Sequence, residues 1–188
     1  GISLTEYYVS YHLDTYEIVG TGRNRNKIPE NILKKITFIK ADIVNKNVGK
    51  LLCKNIAVVI HCAALSRPMS IHNTNIIDSI ETNIIGTSNL VKACSIQKIK
   101  LIYFSTSYVY PGLKGNYKET ESIQPINNYA WSKLGGECAV QLYKNSLILR
   151  ICMTEKPFVH KYAFKNFMTN FIFHDEVAKF LPKLFKYK

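Results

Sequence analysis

Tyr129 and Lys133 are the residues whose types and spacing most directly suggest chemistry. They are four positions apart in a segment with a helical pattern, so both side chains project from one helix face, one turn apart. A phenol with its ordinary pKa near ~10 is a poor acid–base group at neutral pH, and a neighbouring ammonium group lowers that pKa. The pair therefore suits proton exchange with a carbonyl or alcohol oxygen, although the same spacing also occurs on solvated helices.

A row of hydroxyl-bearing residues precedes this pair in the chain. Residues 103–112 read Tyr-Phe-Ser-Thr-Ser-Tyr-Val-Tyr-Pro-Gly and place Thr106 directly after a predicted strand. Residues 127–137 then read Asn-Asn-Tyr-Ala-Trp-Ser-Lys-Leu-Gly-Gly-Glu, and either Asn127 or Asn128 can cap the helix that follows Pro125. The strand end thus supplies a hydroxyl group, and the helix supplies the acid–base pair.

The elements that must position these groups alternate between short β-rich runs and longer helical runs. The predicted strands cover residues 17–20, 36–39, 56–60, 101–105 and 146–151. The predicted helices cover residues 75–95, 129–143 and 175–185. This order predicts an α/β protein with a doubly wound parallel sheet. Ligands of such folds bind beyond the carboxyl ends of the strands, where Arg23, Asp42, Ala63 and Thr106 fall.

Composition narrows the classes of function. The chain has 188 residues and a net charge of +12, but its lysines are scattered and form no basic helix, which argues against nucleic-acid binding. The longest apolar runs have strand length, which argues against a membrane partner. Five widely spaced cysteines without a Cys-x-x-Cys pair favour free thiols over disulfides or a zinc site. We therefore expect a cytoplasmic protein without a metal and with a phosphate-bearing ligand.

Taken together, these segments resemble the extended short-chain dehydrogenase/reductase family, within the NAD-dependent epimerase/dehydratase superfamily. The closest branch is the dTDP-4-dehydrorhamnose reductases, which show a Ser-Thr-Asp-Tyr-Val-Phe strand end, a Gly-x-Tyr-x-Glu loop and a Tyr-x-x-[Ser/Thr]-Lys-x-x-Gly-Glu helix. The resemblance implies an NAD(P)-binding Rossmann-like domain over residues 1–152. Residues 153–188 would then be a remnant of the substrate-binding lobe and a C-terminal helix.

The resemblance also implies roles for the residues of the candidate site. Thr106 would hydrogen-bond the sugar carbonyl, Tyr129 would donate the proton, and Lys133 would hold the nicotinamide ribose and lower the tyrosine pKa. Ser107 and Tyr108 would contact substrate, and they replace the Asp-Glu pair with which dehydratase relatives eliminate water. The implied reaction is NAD(P)H-dependent reduction of a 4-keto-deoxysugar nucleotide. Two alternatives stay open: a nucleotide-sugar epimerase with tightly bound NAD, and a non-catalytic nucleotide-binding or regulatory module.

Cofactor contacts follow from the same resemblance. Arg23, with Asn24 beside it, stands where this fold selects its cofactor; an arginine suits a 2′-phosphate, so we expect NADP and leave NAD open. The other implied cofactor contacts are Gly1, Asp42, Ile43, Cys62, Ala63 and Ala64.

Two features set this chain apart from the family pattern. The segment before Gly1 would hold the first strand and first glycine of the phosphate-binding turn, so we expect a sheet without that strand or an incomplete chain. The segment after Arg150 is short, so we also expect a much reduced substrate lobe.

Three expectations concern support of the site. Asn83 should brace backbone structure under the site, and His61 should be a packed histidine. Gly135 and Gly136 inside a helix indicate close helix packing, because glycine costs about 1 kcal/mol relative to alanine there. In relatives this helix faces a partner subunit, so we expect a homodimer through residues 129–143.

Overall fold

The computed structural model describes residues 1–51, 55–158, 162, 165 and 170–187, which form two compact units. The first unit contains residues 1–41 and 151–187, and the second contains residues 42–150. All strand pairs in the described residues are parallel, which confirms the predicted α/β class. The domain boundary that we placed at residue 152 stays a prediction.

The first unit combines two parallel strand pairs with helices. In chain order its elements are α1 (Ile2–Tyr11), β1 (Val19–Gly22), α2 (Glu30–Leu33), β2 (Thr37–Lys40), β6 (Cys152–Thr154), β7 (Phe171–Phe173) and α7 (His174–Leu184). β1 pairs with β2, and β6 pairs with β7. Helix α1 packs against α7, and the ring of the buried Tyr8 stacks on that of Phe185 with ring centres 6.4 Å apart, a typical spacing for an aromatic pair.

The second unit holds a three-stranded sheet with the order β3-β4-β5. In chain order its elements are β3 (Val58–His61), α3 (Ile71–Thr74), α4 (Ile76–Ser79), α5 (Gly86–Gln97), β4 (Lys100–Phe104), α6 (Asn128–Gln141) and β5 (Ser146–Leu149). All five residues of the central strand β4 are buried, as expected for a strand covered on both faces. Strand boundaries differ from the predicted ones by one or two residues.

The predicted helix over residues 75–95 is wrong as a single helix. The structure divides this segment into α4, a π-helical stretch over Ile80–Ile85, and α5. Within it, the Thr87 hydroxyl donates to the Asn83 carbonyl at 2.7 Å, and the Ser88 hydroxyl donates to the Ile84 carbonyl at 2.8 Å. Side-chain hydroxyls that bond backbone carbonyls one turn back perturb a regular helix, and π-helical stretches are frequent near functional sites.

Helix α6 begins close to the predicted position. Of the two candidate cap residues, Asn127 is the one that caps the helix. Its side-chain oxygen accepts a hydrogen bond from the Ala130 amide at 2.8 Å. Among the described residues, Cys62, Cys94 and Cys138 are free thiols, while Cys53 lies outside those residues. Of the helices in the described ranges, none has the length and apolar character needed to cross a bilayer.

Candidate active site

Strand β4 and helix α6 together position Lys133. The lysine is only 3% exposed, and its Nζ lies 4.2 Å from the centre of the Tyr103 ring. The Tyr103 hydroxyl donates a hydrogen bond to the Lys133 carbonyl at 3.1 Å. Tyr129, one turn earlier on the same helix, is half-buried. The sheet therefore fixes the helix turn that carries both members of the predicted pair.

Burial dominates the electrostatics of Lys133. It lowers the lysine pKa to about 7, against the smaller opposing attraction of Cys62 and Glu137. A buried ammonium group is unfavourable unless nearby oxygens accept its hydrogens. The ribose hydroxyls of a nicotinamide cofactor are such acceptors, and the chemistry of Lys133 therefore fits that group.

Two adjacent glycines allow α6 to approach its neighbours. A Cβ added at Gly136 would lie 2.6 Å from the Tyr103 hydroxyl oxygen and 2.8 Å from the Asn83 carbonyl oxygen. At Gly135 an added Cβ would lie 2.7 Å from a methyl carbon of Ile84. These distances confirm the close helix packing that the glycine pair indicates.

Thr106 lies just beyond the carboxyl end of β4 and is 4% exposed. Its hydroxyl oxygen accepts a hydrogen bond from the Tyr108 amide at 3.3 Å and caps the short 3₁₀ turn Ser107–Val109. The same hydroxyl keeps a hydrogen that can be donated to a carbonyl oxygen. Ser107 and Tyr108, the predicted substrate contacts, are half-buried.

The predicted cofactor loop starts at the same edge of the sheet. His61 ends β3 and pairs in register with Tyr103 of β4, so Cys62 and Ser105 both follow neighbouring parallel strands. Parallel strands that end together place their following loops side by side. The structure thus brings the loop of Cys62, Ala63 and Ala64 to the edge from which Thr106 also emerges.

Asn83 braces this loop, as the sequence predicts. Its side-chain oxygen accepts from the Leu65 amide at 2.8 Å, and its amide nitrogen donates to the Leu65 carbonyl at 2.9 Å. The same nitrogen donates to the Ser132 hydroxyl at 2.8 Å. Asn83 therefore couples the loop after β3 to the residue next to Lys133.

His61 is a packed histidine, also as predicted. It is 2% exposed, and its Nε2 lies 2.9 Å from the Thr87 hydroxyl oxygen. Burial lowers its pKa to about 3, and the nearby Lys133 acts in the same direction. The ring is thus neutral over the ordinary pH range and serves the interior packing.

A brace that sequence reasoning missed supports the predicted adenine contact at Asp42 and Ile43. The Asn89 amide nitrogen donates to the Ile43 and Val44 carbonyls at 3.0 and 3.1 Å. Asp42 accepts from the Val44 amide at 3.1 Å, which closes the turn. The sequence signal for the bracing role of Asn89 was an asparagine among the apolar positions of the predicted helix over residues 75–95.

Two more features escaped sequence reasoning. His72 is buried beside Tyr129, with ring centres 5.2 Å apart, and no motif marked it. Glu137 accepts hydrogen bonds from Arg150 at 2.8–3.2 Å and from the Ser105 hydroxyl. The carboxylate one turn after Lys133 in the Gly-Gly-Glu segment was a visible signal, but its partners were not.

The remaining predicted cofactor residues belong to the first unit. Gly1 caps the N-terminus of α1, and the exposed Arg23 follows β1. The Asn24 side-chain oxygen accepts from the Asn26 amide at 2.9 Å and caps a short 3₁₀ turn. Their contacts with a cofactor stay predictions.

Known proteins share both the sequence pattern and the fold. The human dTDP-D-glucose 4,6-dehydratase is 31% identical over 166 residues, which cover 85% of this chain and 47% of the human protein. The chain thus spans about half the length of the curated relatives it matches, with coverage of 47% and 46% in the human and bovine proteins.

Solved structures of related enzymes also resemble this chain. The Bacillus cereus UDP-glucuronic acid 4-epimerase, solved with UDP-glucuronic acid and NAD, gives a TM-score of 0.68 at 27% identity, covering 81% of this chain and 53% of that one. A dTDP-4-dehydrorhamnose reductase from Clostridium acetobutylicum gives 0.58 at 27% identity, covering 73% and 54%. The model of the NAD dependent epimerase/dehydratase family matches residues 4–175, and the chain belongs to that family.

Proposed function

We propose that the whole protein reduces a 4-keto-deoxysugar nucleotide with NADPH. The observation that carries this proposal is the side-chain set around α6. Lys133 is buried one turn from Tyr129, and Thr106 stands at the end of the strand that holds Lys133 in place. Ser107 and Tyr108 follow Thr106, and neither can act as a carboxylic acid. These residues suit proton donation to a carbonyl better than water elimination.

Each residue has a distinct role in this reaction. A bound nicotinamide cofactor supplies the hydride. Thr106 donates a hydrogen bond to the substrate carbonyl oxygen and orients it, and Tyr129 gives its phenolic proton to that oxygen as it becomes an alcohol. Lys133 binds the cofactor ribose and, as an ammonium group, favours the phenolate form of Tyr129.

Each unit by itself contains proposed cofactor contacts. Lys133, Asp42, Ile43, Cys62, Ala63 and Ala64 are the proposed contacts in the second unit, and Gly1, Arg23 and Asn24 are those in the first. The exposed guanidinium of Arg23 suits a 2′-phosphate and therefore favours NADPH. Arg23→Ala should raise the KM for NADPH by about tenfold with little effect on that for NADH, as expected for one lost charge-assisted contact.

The direct experiment supplies the whole protein with NADPH and dTDP-4-keto-6-deoxyglucose and follows NADPH absorbance. We expect oxidation of one NADPH for each sugar reduced, and loss of that oxidation in Tyr129→Phe. Full activity of Tyr129→Phe would contradict the assignment of Tyr129 as the proton donor.

A nucleotide-sugar epimerase is the second candidate, and the similarity to the Bacillus cereus epimerase favours it. In such an enzyme the same Tyr–Lys pair would remove a proton from the sugar hydroxyl and return it. The sugar would pass a hydride to one bound NAD and take it back on the opposite face. Such an enzyme would retain NAD through purification and would show no net cofactor consumption. Bound NAD together with interconversion of sugar epimers would therefore replace the reductase proposal.

A non-catalytic nucleotide-binding or regulatory module is the third candidate. Calorimetric titration of the folded protein with NADPH and NADH separates it from the enzymes. Absence of binding by a folded protein would support a regulatory module, tight binding without turnover would support a nucleotide-binding module, and turnover would exclude both.

We also propose that α6 forms a homodimer contact and that the protein is cytoplasmic. Trp131, Cys138 and Leu142 recur at helical spacing along α6 and its C-cap, and Trp131 and Leu142 are 56% and 87% exposed. Light scattering should show a dimer that Trp131→Glu converts into a monomer. A monomeric wild-type protein would contradict the dimer proposal.

A further inference from the structure

His72 is a buried histidine packed against the proposed proton donor. It belongs to the short helix α3 and is 1% exposed. Its ring centre lies 5.2 Å from that of Tyr129, with 53° between the ring planes. Its Nδ1 lies 2.7 Å from the hydroxyl oxygen of Ser79, which is itself 4% exposed. One nitrogen is thus tethered, and the ring contacts Tyr129.

The second ring nitrogen of His72 is buried in the same way as Nδ1 of the packed His61. In the part of the chain that the structure describes, His72 Nε2 is buried and has no hydrogen-bond partner. Burial lowers the His72 pKa, and a weaker interaction with the Leu65 backbone raises it. A neutral ring with an unpartnered buried nitrogen is less favourable than a phenylalanine ring of similar size. What distinguishes His72 from His61 is its ring contact with Tyr129, the proposed proton donor.

A second contact holds α3 at the start of α6. The Asn128 amide nitrogen donates to the Asn73 side-chain oxygen at 2.8 Å, and both residues are exposed. After α3, Asn75 accepts from the Asp78 amide at 3.1 Å and caps the next helix, which ends at Ser79. His72 and its tether thus lie in a segment fixed at both ends, beside the first turn of α6.

We propose that His72 is a positioning residue for Tyr129. The Ser79 bond fixes the plane of the imidazole, and the imidazole limits the orientations of the phenol ring to those suited to proton donation. Catalysis is sensitive to such placement, because small displacements of a reacting group reduce the rate steeply. This inference rests on the proposed role of Tyr129 and adds the group that orients it.

The kinetic test compares four variants of the whole protein in the NADPH assay with dTDP-4-keto-6-deoxyglucose. His72→Phe keeps a buried ring but loses the tether, and Ser79→Ala keeps the ring but removes the partner. Both should lower kcat by about tenfold with KM little changed, and the double variant should lose no more than the worse single one. Thr74→Ala, at an exposed position of the same helix, is the matched control and should keep the wild-type kcat.

A purely structural role predicts another pattern. It would shift the urea midpoint of His72→Phe downwards and leave the kcat of the folded enzyme unchanged. We expect the reverse: a midpoint equal to or above that of the wild type, and a reduced kcat. A wild-type kcat in His72→Phe, in an enzyme that Tyr129→Phe inactivates, would overturn the proposal.

A measurement without substrate separates this proposal from the proposed function. Ring-labelled tyrosine allows the ring-flip rate of Tyr129 to be followed by NMR, with the signal assigned through Tyr129→Phe. We expect faster ring flips in both His72→Phe and Ser79→Ala than in the wild type or Thr74→Ala. If the wild type shows no reductase activity, the reductase proposal fails, and the flip rates still decide on His72. Unchanged flip rates in both variants would overturn it.

Discussion

Helix α6 carries two buried charged residues one turn apart, and their surroundings differ sharply. Glu137 accepts hydrogen bonds from two nitrogens of Arg150 and from the Ser105 hydroxyl. Lys133, equally buried at 3% exposure, lies against the face of the Tyr103 ring, and burial lowers its pKa to about 7. We call these surroundings the Glu137 cluster (Ser105, Tyr110, Glu137, Arg150) and the Lys133 cluster (His72, Tyr103, Tyr129, Lys133).

The difference distinguishes a cluster that stabilises the fold from a cluster that is suited to function. In the Glu137 cluster, Arg150 also donates to the Tyr110 hydroxyl at 2.8 Å, so the carboxylate, guanidinium and phenol satisfy one another. The Lys133 cluster contains an ammonium group with a strongly lowered pKa, and the His72 ring packs against Tyr129. Groups whose pKa is displaced by burial in this way are common at functional sites, where a ligand supplies the missing interactions. We expect substitutions in the two clusters to act in opposite directions on stability.

The largest expected effect is the pH dependence introduced by Lys133. Its folded-state pKa of about 7 lies below the ordinary 10.5, so between these values the unfolded chain binds more protons. Stability therefore rises with pH across this window, and the destabilising contribution is fully present below it. At about 1.4 kcal/mol per pKa unit, the contribution is on the order of 5 kcal/mol.

Lys133→Met should remove this rise of stability with pH. Urea unfolding at pH 7 and pH 10 should show that the variant gains most over the wild type at the lower pH. Lys144→Met, at an exposed lysine, is the control and should follow the wild-type profile. Parallel pH profiles of stability for Lys133→Met and the wild type would show that burial does not lower the Lys133 pKa.

Breaking the Glu137 cluster should have the next largest effect and the opposite sign. Glu137→Ala leaves the guanidinium of Arg150 without its carboxylate, and the loss of one partner of a buried pair costs about 3 kcal/mol. Urea unfolding at neutral pH measures this directly. Glu121→Ala, which breaks the surface pair with Lys114, is the control and should cost less than about 1 kcal/mol. Equal losses in both variants would remove the distinction between the buried and surface pairs.

Gly136 allows both clusters to form, because it brings α6 close to Tyr103. In Gly136→Ala the new methyl group would meet the Tyr103 hydroxyl and the Asn83 backbone, and such overpacking costs about 2 kcal/mol. Gly135→Ala meets only the Ile84 side chain, which can rotate, and alanine favours a helix by about 1 kcal/mol over glycine. The second variant should therefore lose less stability in thermal unfolding, and the reverse order would contradict the packing described for α6.

The sequence was informative where function depends on local spacing. Periodicity and motifs predict three features of the site: the helix with Tyr129 and Lys133, the strand end at Thr106 and the bracing role of Asn83. The π-helical stretch over Ile80–Ile85 was missed because its isoleucines keep near-helical spacing. The pairing of Glu137 with Arg150 and the packing of His72 on Tyr129 join distant segments. Such contacts depend on tertiary packing, which a single sequence does not encode locally.

The most direct test of the account compares one tyrosine from each cluster in the NADPH assay with dTDP-4-keto-6-deoxyglucose. Tyr129→Phe should lower kcat by about a thousandfold, as expected for loss of a proton donor, with a urea midpoint close to that of the wild type. Tyr110→Phe should keep most of the wild-type kcat and lose about 1 kcal/mol of stability with its Arg150 hydrogen bond. Wild-type turnover in Tyr129→Phe, or equal loss of turnover in both variants, would contradict the assignment of proton transfer to the Lys133 cluster.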